Sequence, residues 1–209
     1  MSNGFSELKN VKWLKAAAEE IVAGIKSSIE ELNMKEVEKL VTLLLDAKDR
    51  KIFIVGMGRS GFVARAFALR LMNLGFSVYF LGETITPAAE KGDLLIAISG
   101  TGTTKMVLTA SAAAKEIGST VIAITSFPES PLGKLADLVV EVKGRTKAGT
   151  PREKDYLTRQ IMGVGEPLTP LGSIFENNCM VFLDSLIVEL MHRLGSTEAD
   201  LKRRHATLE

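Results

Sequence analysis

Two short runs of glycine and hydroxyl residues are where this sequence could do chemistry. Gly56-Met57-Gly58-Arg59-Ser60-Gly61 follows the apolar, β-branched stretch 51–55, and Ser99-Gly100-Thr101-Gly102-Thr103-Thr104 ends the apolar stretch 94–99. Each run opens a helical pattern. Glycine lets the backbone approach an anion closely, and the first N–H groups of a helix are unpaired and point toward it. Serine and threonine add donors without bulk. The second run has four hydroxyls and two glycines in six positions, more than a plain turn needs, so phosphate or another anion is the better reading. The first run alone reads equally well as a tight strand-to-helix turn. It is not G-x-G-x-x-G, because Gly61 comes one residue early and no acidic partner is evident about 20 residues on. Arg59 suits either neutralising a phosphate or pairing with a carboxylate. Glu83 and Thr84 end another apolar stretch and either line the same pocket or make an ordinary turn.

These loops need a sheet to hold them. Strand patterns are expected over 51–55, 77–81, 94–99, 120–125 and 138–142, and helical spacing runs between them, over 62–75 and 105–117. Continuous apolar strands alternating with helices predict an α/β fold. Its core is a five-stranded parallel sheet in a doubly wound, flavodoxin-like order, covered by helices on both faces. Ligands of such sheets sit at the carboxyl ends of strands, where both loops lie. Two helices fill residues 1–50, one striped by Leu14, Ala18, Ile21, Ile25, Ile29 and Leu32, the next opened by an Asn33–Glu36 capping box. After the sheet core 51–142, residues 143–172 read as a long Gly/Pro-rich loop and 173–209 as C-terminal helices, all within one domain spanning 1–209. The helix 173–194 is apolar on several sides, so it is buried within the chain or by a partner subunit. Within it, Ser173-Ile174-Phe175-Glu176 has the spacing of a capping box, with Glu176 closing the helix start.

The chain resembles the sugar isomerase domain family, the phosphosugar-binding fold, and within it the 6-phospho-3-hexuloisomerases. The carrying segments are the two loops, Gly82-Glu83-Thr84-Ile85-Thr86-Pro87, Pro170-Leu171-Gly172-Ser173-Ile174-Phe175-Glu176 and the C-terminal Arg204-His205-Ala206-Thr207-Leu208-Glu209. Thr101 departs from the serine expected there and keeps the hydroxyl. The resemblance implies interconversion of D-arabino-hex-3-ulose 6-phosphate and D-fructose 6-phosphate through an enediolate, with no metal or organic cofactor. It makes Glu176 the base rather than a cap, and His205 a second catalytic group that opens the ring or moves a proton between oxygens, in a neighbouring subunit's site if not its own. Gly58, Arg59, Ser60, Glu83, Thr84, Ser99, Gly100, Thr101 and Thr104 are the expected substrate contacts. An arabinose 5-phosphate isomerase is the first rival; those relatives tend to carry a histidine after the second strand, and 82–93 has none. A non-catalytic phosphosugar-binding module is the second.

Bulk properties fit a small-molecule enzyme. A net charge of +1 argues against a nucleic-acid partner. No apolar run reaches the roughly 18–20 residues of a membrane span, and the N-terminus lacks the apolar core of a signal peptide. The single cysteine, Cys179, cannot form an intramolecular disulfide, so the cytoplasm is the expected compartment. Two histidines and one cysteine, far apart, make no metal-ligand set. A symmetric homo-oligomer, a tetramer, is expected from the apolar helix 173–194.

Overall fold

The computed structural model describes residues 12–144 and 168–205; most of the expected loop 143–172 and the last four residues lie outside that range. Five parallel strands form one sheet: β1 (Lys51–Gly56), β2 (Ser77–Phe80), β3 (Leu94–Ile98), β4 (Thr120–Thr125) and β5 (Leu138–Glu141). Their order is β2-β1-β3-β4-β5, the doubly wound arrangement expected. Register is continuous across the sheet, with Ile54 beside Ile96 and Ile96 beside Ile122. The central strands are apolar at nearly every position because both faces are covered. Ile52 and Ile54 point to one face, and Phe53 and Val55 to the other.

The two faces are covered unequally. On one lie α1 (Lys12–Glu30), α2 (Met34–Asp46), α3 (Arg59–Asn73) and α6 (Ser173–Leu194). Leu40, Leu44, Phe67, Phe175 and Phe182 close that core. On the other lie α4 (Lys105–Ile117) and the short α5 (Pro131–Leu135), with Val107 and Leu132 against Leu95 and Val121. The last helix is α7 (Glu198–Arg203). Helix α5 has no sequence expectation behind it: five residues are too few to show a period, although Ser130 caps it and Pro131 opens it in the usual way. Helices α4 and α6 end at Gly118 and Gly195, both left-handed.

Two expectations about caps and stripes change. Asn33 caps α2, but its side chain accepts from the Lys35 N–H, so the cap is set at the second helical position. The apolar stripe of α1 is not sunk into the core. Leu14 is 67% exposed and Ile29 37%, and Trp13 and Val22 stand out with them. Helix α1 touches the body through α6, where Gly24 lies against Ile174.

Candidate active site

The chain runs from β1 outward to β2 and then returns to β3 on the other side of β1. At that reversal no connection crosses above the sheet, which leaves a crevice at the carboxyl ends of β1 and β3. Gly56 and Ile98 are register partners there, so both glycine-rich loops start side by side. A Cβ at Gly56 would lie 2.7 Å from the Ser60 carbonyl oxygen; only glycine lets the first turn of α3 fold back onto its strand. The second loop turns at Gly102, whose φ is +62 and whose Cβ would collide with Ser130.

Three helices begin at this crevice: α3 after Gly58, α4 after Thr104 and α6 after Gly172. None of the three has a side-chain cap. Helices α2, α5 and α7, which start elsewhere, are each capped by their own Asn33, Ser130 or Thr197. An uncapped start leaves N–H donors and the positive end of the helix dipole available to a ligand. Three such starts around one cleft have the chemistry that suits an anion.

The cleft holds about 510 Å³ of space, part of it open to solvent. Ser60, Ser99, Gly100, Thr101 and Thr104 line it, with Glu176 at its α6 side. Ser99 is buried, and its hydroxyl lies 3.0 Å from that of Thr104, which explains why Thr104 does not cap its own helix. Thr101 Oγ1 accepts from the Thr103 N–H and hydroxyl, holding the loop tip. The Gly100 carbonyl is turned away, accepting from the Ser126 N–H and the Thr125 hydroxyl. Gly58 lines nothing itself; at φ +58 it turns the chain into α3.

Glu176 is not a helix cap. Gly172 is the N-cap and Ser173 already the first helical residue, so the capping-box reading fails by one position. The Glu176 carboxylate instead receives the Arg59 Nε–H at 2.5 Å, across 117 positions of sequence. Arg59 is 63% exposed and Glu176 14%. Water reaches the guanidinium end of the pair far more than the carboxylate end, so Arg59 is the partner free to turn to another anion. The other Glu176 oxygen lies against Gly172, whose Cβ would come within 2.8 Å of it.

Residues 44–152 match the model of the SIS domain. A protein of Aeropyrum pernix named as uncharacterized is 50% identical over 192 residues, 91% of this chain and 90% of its own. The 3-hexulose-6-phosphate isomerase of Methanocaldococcus jannaschii is 40% identical over 173 residues, 83% of this chain and 84% of its own. A crystal structure of a Methanococcus jannaschii protein, for which a 3-hexulose-6-phosphate isomerase function is inferred, matches with a TM-score of 0.73. It is 36% identical, covering 95% of this chain and 100% of that one. This chain belongs to the SIS domain family.

Other expected contacts of this SIS domain stand apart from the cleft. Glu83 and Thr84 are exposed beyond β2, and Glu83 pairs with Arg65 of α3 at 3.2 Å. His205 is farther away. Arg204 beside it donates to the Asn73 carbonyl at the carboxyl end of α3, whereas the cleft is at the amino end. Fifteen residues of α3 put about 22 Å between those ends. His205 therefore stands toward the opposite end of the strands from its own chain's cleft. Cys179, one turn beyond Glu176, is fully buried; burial, then the Glu176 charge, pushes its thiol well above the usual range, which removes it as a nucleophile.

Met57, Leu171, Gly172 and Phe175 also line the cleft; the sequence placed them in its motif segments but not among the expected contacts. The signal that could have found Gly172 is a glycine, able to take the left-handed φ of +94, directly before a long helix. Among the described residues no helix is long and apolar enough to cross a membrane.

Proposed function

We propose that the cleft is the active site of a ketose isomerase interconverting D-arabino-hex-3-ulose 6-phosphate and D-fructose 6-phosphate. The observation that carries the reading is the carboxylate of Glu176 beside a hydroxyl-lined cleft on which three uncapped helices converge. Similarity to proteins named 3-hexulose-6-phosphate isomerase supports the choice of substrate. In this mechanism Ser60, Ser99, Thr101 and Thr104 hold the 6-phosphate by charge-assisted hydrogen bonds. Glu176 removes the C2 proton of the 3-ketose. The electron pair moves into the C2–C3 bond and the C3 carbonyl becomes an enediolate oxygen. Return of the proton to C3, with loss of the O2 proton as the C2 carbonyl forms, gives the 2-ketose. Helix N–H groups lower the cost of the enediolate charge. His205 moves the proton between O2 and O3, supplied by a neighbouring copy in a tetramer whose sites are shared. The reaction belongs to the cytoplasm.

Purified protein assayed against a panel of sugar phosphates tests the reading. The 3-hexulose 6-phosphate should turn over at least tenfold faster than arabinose 5-phosphate. Deuterium from D₂O should enter the product at C2 or C3. Turnover of arabinose 5-phosphate alone, or of none of the panel, removes the assignment.

A further inference from the structure

The Arg59–Glu176 pair is a partition. On one side is the hydroxyl-lined cleft. On the other is a second hollow of about 420 Å³, lined by Arg59, Phe62, Val63, Asn177 and Met180. Glu176 lines both, so the pair stands between the cleft and a hollow that lies between α3 and α6. The pair is also an obstacle to the chemistry. It holds one carboxylate oxygen on a guanidinium N–H at 2.5 Å, turned to the arginine rather than offered to a proton on carbon.

Resting on the isomerase reading above, we propose that Arg59 is a phosphate-operated latch on Glu176. With the cleft empty, the guanidinium holds the carboxylate and separates the two hollows. A phosphate seated against Ser60, Ser99 and Thr104 draws the guanidinium onto itself. Glu176 is then free to act as base, and the two hollows join into a groove that takes the carbon chain of the sugar.

The geometry says which partner moves. Glu176 is nearly buried in the first turn of α6, with its second oxygen seated against Gly172. Arg59 is largely exposed and lies next in sequence to Ser60, which lines the cleft. Side-chain rotation alone carries its guanidinium from one anion to the other. Phosphate is also the stronger partner, because a dianion offers more charge and more acceptors to the planar fork than a carboxylate does. Arg59 accordingly does both of the things its sequence position allows, one before binding and the other after it. Binding energy from the phosphate, a group remote from the reacting carbons, is thereby used to prepare the base.

The direct test follows the Arg59 Nε–H resonance by ¹⁵N–¹H NMR, assigned by its loss in Arg59→Lys, while inorganic phosphate is added. Calorimetry on the same protein measures phosphate binding. The resonance should move in step with saturation, and Ser99→Ala should shift both curves to higher phosphate. A resonance unmoved at saturation, or no phosphate binding at all, overturns the latch. Kinetics give a second reading with the dephosphorylated 3-hexulose. Wild-type turnover should rise at least tenfold with added phosphite, whereas Arg59→Ala should be faster than wild type without phosphite and gain nothing from it. Equal turnover in the two proteins, with or without phosphite, overturns it as well. A resonance that moves in a protein that isomerises no sugar phosphate keeps the latch and removes the isomerase reading. An active isomerase with an unmoved resonance does the reverse.

Discussion

Glu176 and Ser99 carry different parts of the proposed reaction, and single substitutions separate them. Glu176→Gln keeps the size of the side chain and its place in the first turn of α6. Because Gly172 rather than Glu176 caps the helix, folding should be unaffected. Loss of a general base costs about 10²–10⁴-fold in kcat, and that is the expected drop, with thermal stability unchanged. A kcat within a few-fold of wild type would sink the assignment. Ser99→Ala acts instead on binding. The buried hydroxyl faces Thr104 and the cleft, and a charge-assisted hydrogen bond to phosphate contributes about 1–3 kcal/mol. KM should rise roughly fivefold to a hundredfold, converted at about 1.4 kcal/mol per factor of ten. An unchanged KM for every phosphosugar would put the phosphate elsewhere.

Elements hold these residues through turns that tolerate little change. Gly102 joins the hydroxyl loop to α5: its carbonyl accepts from the Leu132 N–H, and its left-handed backbone lies against Ser130. Gly102→Ala adds the left-handed penalty of roughly 1–2 kcal/mol and a collision with Ser130. The melting temperature should fall by at least about 4 °C, with phosphate affinity falling alongside it; an unchanged melting temperature would contradict this account of the loop. At the other end of the molecule α7 depends on one carboxylate. Asp200 sits at about 2, held down first by the Thr197 hydroxyl and then by the Thr197 N–H, with Arg203 contributing. Its folded value is below the ordinary aspartate value of about 3.9. The stabilisation is therefore complete above that value and is lost as pH falls through about 2. NMR shifts of α7 should be helical near pH 5 and move toward coil near pH 2, while those of β4 stay put. Helical shifts retained in Asp200→Ala at pH 5 would show that the capping box is not what holds α7.

At the scale of the whole molecule, the described residues leave apolar surface uncovered, and they set His205, the second catalytic group of the proposal, away from its own cleft. Trp13, Leu14 and Val22 of α1 are each more than 60% exposed, and Val188 of α6 is 53% exposed. Apolar surface of that extent points to assembly, and His205 reaches a cleft only if another copy supplies it. Light scattering should report more than a monomer at micromolar concentration, with a tetramer expected. Glu176→Gln and His205→Ala variants, each inactive alone, should regain part of the wild-type rate when mixed and reassembled, because some clefts then receive both native groups. Mixtures that stay inactive would argue against shared sites.

Local order was legible from local pattern. The strands β1, β3 and β4 and the helices α4 and α6 lie where apolar period and glycine stops placed them, since each depends on neighbours within a few residues. The two glycine-hydroxyl loops were legible for the same reason, because an anion site at a helix start is built from consecutive residues. What depended on chains meeting in space was not legible. The five-residue α5 is too short for a period. The stripe of α1 is only half covered, with Leu14 and Ile29 exposed and Ile21 and Ile25 half-buried, because amphipathic spacing says that a face will be buried but not by which chain. Ser173 to Glu176 had the spacing of a cap, yet the N-cap lies one residue earlier, at Gly172, and Ser173 is already helical. Arg59 had two possible partners in sequence. Only the sheet order, which sets α3 beside α6, brought it to Glu176 rather than leaving it to the phosphate loop next to it.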